Sequence, residues 1–281
     1  MSCIRAVLPI MGSCVAFLLG ILCLFAGSQR QLLPQASLLT LYTGGAGGAG
    51  APDYFSVYTM SYCTGFQELC VSDETTNATT IKNEIIGCSD RSVLFTFNPS
   101  EAILNALGTP SGTLSPDEWP SCITDDFEAL GPTNTTMVVF FIFGTTTAAL
   151  AIGARIWSIA CTRASSRPPS YTGDPSPRFD SETPPSRVEF LIFLVSLFSF
   201  GVASVIASVI TTEFVKLINT SGNGHGVSAT TSTSFLGMAW TAAVLQALCT
   251  VYILIDIIRY RARCRMPPSE LPEQKPLVGC D

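Results

Sequence analysis

Four long apolar blocks constrain the fold of this 281-residue chain more than any other feature of its sequence. A membrane-spanning helix needs about 20 apolar residues, and each block reaches that length. Charged residues make up 13% of the chain, which is about half the share that a soluble domain uses to cover its surface. Hydrophobic residues make up 47%, and the mean hydropathy is +0.41. The sequence therefore predicts an all-α membrane protein built on a transmembrane four-helix bundle.

The blocks place the four membrane spans at residues 6–27, 137–160, 190–212 and 234–258. The first block has a second interpretation, because an apolar run followed by Ala26-Gly27-Ser28 also resembles a cleaved signal peptide. The apolar run is longer than the core of about 7–15 residues that a signal peptide has, which favours an uncleaved anchor. Under both interpretations the segment after residue 28 is delivered to the outside.

The basic residues predict which segments face the cytoplasm, because Lys and Arg near helix ends are retained on that side. Segments 161–189 and 259–281 carry four and five basic residues. Segment 28–136 carries three, against twelve carboxylates, and segment 213–233 carries one. We therefore expect residues 1–5, the 161–189 linker and the 259–281 tail to be cytoplasmic, and the other two segments to be extracellular loops.

The first outer loop contains candidates for a small β-sheet. Residues 54–60 and 92–97 are rich in strand-forming side chains, whereas Asp73–Lys82 is polar and typical of a turn. Residues 44–50 form a Gly-Ala spacer. The inner linker from Ser165 to Ser186 is rich in Pro, Ser and charge, so we expect it to be disordered.

Two kinds of modification site fit this topology. Three glycosylation sequons fall in segments predicted to be outside, at Asn77, Asn134 and Asn219. Three cysteines lie beside the cytoplasmic helix ends, where reversible palmitoylation occurs, at Cys3, Cys161 and Cys264.

Four further cysteines lie in the first outer loop, at Cys63, Cys70, Cys88 and Cys122. An even number in an oxidising compartment predicts two disulfides, and the three pairings are all open at this point. Free thiols are the alternative. A metal site is disfavoured, because the loop contains no histidine and no C-x-x-C pair.

No catalytic or cofactor-binding residues can be assigned. The sequence lacks the zinc-protease, nucleophile-elbow and phosphate-loop motifs, and its single histidine, His225, lies in a Gly-rich turn. Arg155, Glu189 and Asp256 lie near the cytoplasmic ends of the spans, where we expect their side chains to reach the interface. We expect no enzyme, no small-molecule substrate and no nucleic-acid partner.

Small residues recur four apart on each span, as in Gly12-Ala16-Gly20 and Ala149-Gly153. Such rows let helix backbones approach closely in lipid and favour a compact bundle.

Three short elements of the outer loop resemble the fungal Sur-seven (SUR7)/PalI family of claudin-like plasma-membrane tetraspans. They are Tyr58-Thr-Met-Ser-Tyr62-Cys63-Thr-Gly65, Gly87-Cys88-Ser89 and Phe95-Thr-Phe97-Asn98-Pro99. The likeness extends over about residues 5–265 and includes Met238-Ala-Trp240 at the start of the last span. The Trp-Gly-Leu-Trp element of claudins is absent.

The resemblance implies a multi-pass plasma-membrane protein of fungi that organises cortical membrane domains such as eisosomes, and cell-wall or endocytic-site architecture. Two alternatives are an accessory subunit in ambient-pH signalling and a mating or cell-fusion tetraspan. The short tail favours the membrane-organising branch. Implied partners are membrane lipids, other membrane or cortical proteins, and further copies of the chain.

The resemblance also implies a disulfide between Cys63 and Cys88, which both lie in family elements. Cys70 and Cys122 would then pair by default, although these two cysteines and the Gly-Ala spacer depart from the family pattern.

The charge distribution generates a topology prediction. Tags at both chain ends should resist protease in sealed right-side-out vesicles, because both ends are expected in the cytoplasm. A tag near Gly47 should be cleaved in the same vesicles. Cleavage of the C-terminal tag from outside would contradict the orientation.

Overall fold

The computed structural model describes residues 2–28, 33–44, 51–72, 78–107, 121–165, 186–222 and 226–265. Its helices are α1 Ser2–Phe25, α2 Pro99–Leu107, α3 Ser121–Ser165, α4 Arg187–Ser221 and α5 Thr233–Arg265. Its strands are β1 Leu39–Tyr42, β2 Tyr54–Val57, β3 Tyr62–Ser72, β4 Ala78–Cys88 and β5 Ser228–Thr231.

Four of these helices are long and apolar enough to cross a membrane, which confirms the predicted count. The candidate spans are Val7–Phe25, Pro132–Cys161, Arg187–Ser221 and Thr233–Ala262. A mostly helical fold with a small antiparallel sheet is likewise confirmed. The helices extend beyond the apolar blocks: α3 begins at Ser121, inside the first outer loop, and α4 continues to Ser221. A helix satisfies its own backbone groups and so continues into polar sequence outside the bilayer.

The four long helices form a closed ring. Helix α1 packs against α3 and α5, and α4 packs against the same two helices. Small buried residues line the centre, among them Ala16, Ala148, Ala203 and Ala239. Larger buried side chains such as Phe200 fill the space between them, and large apolar side chains on all four helices face outward.

The rows of small residues lie at packed positions on α1, α4 and α5, but not on α3. On α1, a side-chain carbon at Gly12 would collide with Cys249 of α5, and one at Gly20 would collide with Thr145 of α3. On α3, by contrast, nothing lies near Gly153 and Ala149 is exposed. The α3 face that packs carries other small residues, at Gly144, Ala148 and Ala151. Ala and Gly are so frequent on this helix that a spacing of four does not reveal which face is buried.

Two hydrogen bonds inside the bundle are made by polar residues that carry no charge, and the sequence did not predict them. Ser13 of α1 donates a hydrogen bond of 3.2 Å to the Gln246 side chain of α5, and both residues are completely buried. Ser196 of α4 donates to the Gly144 carbonyl of α3 at 3.1 Å. Hydrogen bonds of this kind between membrane helices contribute about 0.6 kcal/mol each. The first bond connects α1 with α5, and the second connects α3 with α4.

The expectation that Arg155 and Glu189 extend to the membrane interface is wrong. Arg155 of α3 and Glu189 of α4 are 3% and 4% exposed, and their side chains form an ion pair of 3.4 Å. Glu189 also closes the start of α4, because it accepts from the Ser186 backbone while its own N–H donates to the Ser186 hydroxyl. Each charge is buried because the other helix supplies its partner.

The sheet combines both loops that are predicted to be extracellular, and it is called here the outer sheet. Its strand order is β4-β3-β2-β1-β5, and every neighbouring pair is antiparallel. Strand β5 comes from the second outer loop and pairs with β1 of the first. Strands β3 and β4 pair over their whole length, with an irregularity between Thr64 and Gly65.

Two local predictions for the first loop are wrong. Residues 92–97 form no strand: Val93-Leu94 is a turn, the Leu94 N–H donates to the Ser92 hydroxyl, and the Phe95 carbonyl accepts from the Asn134 side chain. The second strand is instead β4, whose first residues, Ala78–Lys82, belonged to the predicted turn. Their Thr and Ile side chains are good strand formers, and pairing with β3 decides the outcome. Residues 45–50, 73–77 and 166–185 lie outside the described residues; they cover most of the expected spacer, half of the expected turn and most of the expected disordered linker.

The ion pair between α3 and α4 generates a stability prediction. Glu189→Leu should lower the free energy of unfolding by about 3–5 kcal/mol, because Arg155 is left as a buried unpaired charge. The double variant Arg155→Met/Glu189→Leu should recover most of that loss. Unfolding of the full chain in detergent micelles measures both.

Exposed Glu213 on α4 supplies the matched control. Glu213→Gln should change the free energy of unfolding by less than about 0.5 kcal/mol. A double variant as unstable as Glu189→Leu alone would show that the pair is not what holds these helix ends.

Candidate functional site

The attachment of the outer sheet to the membrane helices centres on the turn between β2 and β3, residues Tyr58–Ser61, called here the hairpin turn. It lies on the outer end of α1, where helix carbonyl groups have no partner within the helix. The Thr59 hydroxyl donates to the Cys23 carbonyl at 2.9 Å, and the Ser61 hydroxyl donates to the Gly27 carbonyl at 3.3 Å. The hairpin turn therefore caps α1.

Tyr58 fixes the chain that leaves α1. Its ring lies against Gly27, whose positive φ of 70° and missing side chain allow the close approach. Its hydroxyl donates to the Pro34 carbonyl at 2.9 Å. Burial raises the pKa of Tyr58 to about 12, so the hydroxyl remains a protonated donor across the physiological pH range.

Asn134 connects the hairpin turn to α3. Its side-chain nitrogen donates to the Thr59 carbonyl at 3.2 Å and to the Phe95 carbonyl at 3.0 Å. One amide thus holds both the hairpin turn and the segment that precedes α2.

The disulfide of the outer sheet lies beside the chain that leaves α1. Cys63 and Cys88 are bonded and occupy paired positions on β3 and β4, in agreement with the pairing that the resemblance implies. Cys63 is completely buried, and its sulfur lies 3.5 Å from the Gly27 carbonyl oxygen. Ser89 continues the ladder by one step, because its hydroxyl accepts from the Tyr62 N–H and its own N–H donates to the Tyr62 carbonyl.

Aromatic side chains of the family elements pack against one another next to Cys63. Tyr62 packs against Phe97 at 5.4 Å between ring centroids, against Phe95 at 6.2 Å and against Phe55 at 6.2 Å. Burial raises the pKa of Tyr62 above its ordinary value. These rings form an aromatic cluster between the sheet and the start of α2.

Asn98 and Pro99 start helix α2. The Asn98 side chain accepts from the Glu101 N–H at 3.3 Å, as an N-cap residue does. Pro99 is the first helical residue, where the missing N–H of proline leaves no bond unmade.

Gly65 is required by a close approach of strands. A side-chain carbon at Gly65 would collide with the Glu84 backbone of β4 and with the Tyr54 ring of β2. Gly87 sits across the same ladder, and there the nearest atom is the Thr64 hydroxyl at 3.9 Å. The resemblance includes both glycines, but the structure gives a steric requirement to Gly65 alone of the two.

Asn219 attaches the second outer loop to α4. Its side chain accepts from the Ala229 N–H at 2.7 Å and donates to the Ala229 carbonyl at 3.0 Å, so it holds β5 by both backbone groups. Nearby, Gly44 has a positive φ of 55° and lies against the Gly226 backbone, so the two outer loops also meet there.

Two of the three sequon asparagines have side chains that make hydrogen bonds within the protein. The amides of Asn134 and Asn219 make the hydrogen bonds described above, whereas Asn77 lies outside the described residues. Sequence reasoning could not have separated them, because a sequon does not show what its amide contacts. Glycosylation of all three stays a prediction.

The other predicted site cysteines remain less defined. Cys70 lies on β3 and Cys122 lies at the start of α3, but the positions of their side chains fall outside what the structure describes, so their pairing stays a prediction. Cys161 is a free, exposed cysteine near the inner end of α3. Cys3 and Cys264 lie on α1 and α5 at the same side of the bundle. Palmitoylation of the three stays a prediction.

The described residues contain no group of three or more His, Cys, Asp or Glu side chains that could hold a metal ion. His225 lies outside them. The functional arrangement that the described part of the chain does contain is the attachment of the sheet to the helix ends.

Together, the four spans and the disulfide-bonded outer sheet define a multi-pass membrane protein of the tetraspan class. A model of the SUR7/PalI family matches residues 5–252, and the chain belongs to this family. The family suggested by the outer-loop motifs is thereby confirmed. No curated protein matches the chain.

The glycines of the β3–β4 ladder generate a paired prediction. Gly65→Ala should destabilise the outer domain by about 1–3 kcal/mol, since the added carbon overpacks a backbone contact. Gly87→Ala should have little effect in the same assay. Thermal unfolding in detergent compares them, and equal stability of the two variants would contradict the packing described for Gly65.

The disulfide generates a second prediction. Cys63→Ser should cost roughly 3 kcal/mol, the effect of closing a loop of this length in the chain-entropy model, and should retain the protein in the endoplasmic reticulum. Cys249→Ser, on α5 in the bundle, should traffic normally. Peptide mapping without reduction should link Cys63 to Cys88 and Cys70 to Cys122, and a Cys63–Cys70 link would refute both pairings.

Glycosylation generates a third prediction. Asn77→Gln should remove a glycosidase-sensitive mass, because Asn77 lies in a polar outer segment. Asn219→Gln should also lower stability by about 1–3 kcal/mol, since the Ala229 backbone loses its partner. Unchanged gel mobility of Asn77→Gln, with the parent also insensitive to glycosidase, would refute the assignment of Asn77.

Proposed function

We propose that this protein is a non-enzymatic plasma-membrane tetraspan that organises cortical membrane domains of the eisosome type in a fungal cell. Its work there would be to shape stable membrane areas and the cell-wall or endocytic sites beside them. Membership of the SUR7/PalI family supports this proposal. The observation that carries it is the attachment of one outer sheet to several helix ends.

That attachment makes the outer sheet and the bundle move together. The hairpin turn bonds to the end of α1, Asn134 bonds from α3, and Asn219 of α4 holds β5. Helix α5 follows β5 after a single residue. A body connected at every span holds a fixed shape in the membrane, which is what a protein needs in order to pack into static assemblies.

The perimeter of the bundle supplies the surface for such packing. Large apolar side chains are exposed on every span, including Leu18, Leu150, Phe198 and Leu248. In lipid, helices associate through van der Waals contacts and small residues. We therefore propose membrane lipids, other membrane or cortical proteins and further copies of the chain as partners.

The role of the family motif residues also supports a structural function. Tyr62, Cys63, Gly65, Ser89 and Asn98 each make a contact that builds the sheet, its disulfide or the start of α2. These residues are thereby engaged in building the outer domain.

A second candidate is an accessory subunit in ambient-pH signalling, because the family description includes PalI as well as SUR7. In this role the rigid outer sheet would carry a contact to a pH sensor. A deletion strain that loses its transcriptional response to ambient pH, while its cortex is unchanged, would favour this candidate.

Localisation in a fungal host tests the proposal directly. A fluorescent protein fused to the C-terminal tail should form static cortical patches that recover slowly after photobleaching. Gly87→Ala should form the same patches, and Gly65→Ala, which disturbs the sheet, should form fewer. A diffuse and mobile plasma-membrane signal, or a signal confined to internal membranes, would refute the proposal.

A further inference from the structure

A turn at residues Arg91–Leu94 follows β4 and presents apolar side chains outward. Val93 is 44% exposed and Leu94 is 74% exposed. The Ser92 hydroxyl accepts from the Leu94 N–H at 3.2 Å, which closes the turn and fixes its shape. Two adjacent exposed apolar side chains on this turn form an apolar patch outside the core of the domain.

Two contacts place this turn at the outer boundary of the membrane. The Arg91 guanidinium lies 4.2 Å from the centre of the Phe25 ring, and Phe25 is the last residue of the first span. On the other side, the Phe95 carbonyl accepts from Asn134, two residues into the span that begins at Pro132. The turn is thus held between the outer ends of two spans.

A third contact fixes the turn to the cap of α1. The Ser92 N–H donates to the Met60 carbonyl of the hairpin turn at 3.0 Å, and the Arg91 guanidinium lies 3.6 Å from the Met60 sulfur. Phe25 itself is 42% exposed. The exposed Val93 and Leu94 are therefore held next to the end of α1, where the apolar surface that α1 exposes ends at Phe25.

Arg91 brings a positive charge to this boundary. It is one of three basic residues in segment 28–136, which carries twelve carboxylates. The ion pair found among the described residues joins Arg155 and Glu189, so Arg91 has no carboxylate partner there. A guanidinium at a lipid surface binds phosphate oxygens well, because its N–H groups match their geometry.

We propose that the Arg91–Leu94 turn is a lipid anchor of the outer domain. Val93 and Leu94 insert among the acyl chains of the outer leaflet beside Phe25, and the Arg91 guanidinium binds the phosphate of a phospholipid headgroup. The occupant is lipid because the turn continues a surface that already faces lipid. The anchor adds a contact between the sheet and the bilayer to those between the sheet and the helix ends.

Tryptophan fluorescence in lipid nanodiscs tests the anchor. Leu94→Trp is introduced into the full chain, and the emission of the parent protein, with its own three tryptophans, is subtracted. The nanodiscs contain phosphatidylcholine brominated either near the headgroup or deep in the acyl chains. The added tryptophan should emit at shorter wavelength than in water and should be quenched more by the shallow bromines than by the deep ones.

Gln67→Trp is the matched control, because Gln67 is exposed on β3, about 17 Å along the strand from Tyr62 at the usual rise per residue. It should show no quenching by either lipid. Equal quenching at both positions, or at neither, would overturn the anchor, as would cross-linking of residue 94 to a second copy of the chain.

Arg91→Gln in the Leu94→Trp protein tests the phosphate contact. It should lower the quenching of the added tryptophan by the shallow bromines, because the turn loses its charge-assisted hydrogen bonds to a lipid phosphate. An intact Cys63–Cys88 disulfide in peptide mapping would show that the domain is still folded. Unchanged quenching in this folded variant would overturn the role of Arg91.

Discussion

The backbone carbonyl groups at the outer end of α1 need hydrogen-bond donors, because they lie where the membrane ends and the outer domain begins. Thr59 and Ser61 of the hairpin turn supply these donors, and Tyr58 holds the chain that leaves the helix. Because the hairpin turn joins β2 to β3, capping the helix also fixes where β2 ends and β3 starts. The disulfide and the aromatic cluster are then built beside that fixed point.

From the hairpin turn the connections reach the other spans. Asn134 extends them to α3, and pairing of β1 with β5 extends them to the second outer loop, which Asn219 holds on α4. Within the bundle, the Ser13–Gln246 bond connects α1 with α5, and the Arg155–Glu189 pair connects α3 with α4. These bonds connect the sheet to the bundle at several helix ends, and this rigid attachment supports the proposed role in shaping stable membrane areas.

Parts of this architecture follow from the sequence because their signals are local. An apolar block of about 20 residues predicts a span wherever it stands, and short family elements predicted which family the chain belongs to. Signals that depend on a partner were invisible or misleading. Gln246 is not ionisable, so its position in a span gave no sign of a buried partner. Arg155 looked like a solvated charge because its partner, Glu189, is 34 residues away in the sequence. Residues 92–97 resembled a strand, but Asn134, from a distant helix, supplies the bond that a strand neighbour would make.

Hydrogen–deuterium exchange measures most directly whether the hairpin turn holds the outer sheet on the bundle. In nanodiscs, the double variant Thr59→Val/Asn134→Leu removes the hydroxyl that caps α1 and the amide that bonds to Thr59 and Phe95. If the account is right, exchange should rise in β1, β2 and β5 as well as at the hairpin turn, while the centres of α1 and α3 stay protected. Unchanged protection of β1 and β5 in this variant would contradict the account, because the sheet would then keep its place without these bonds.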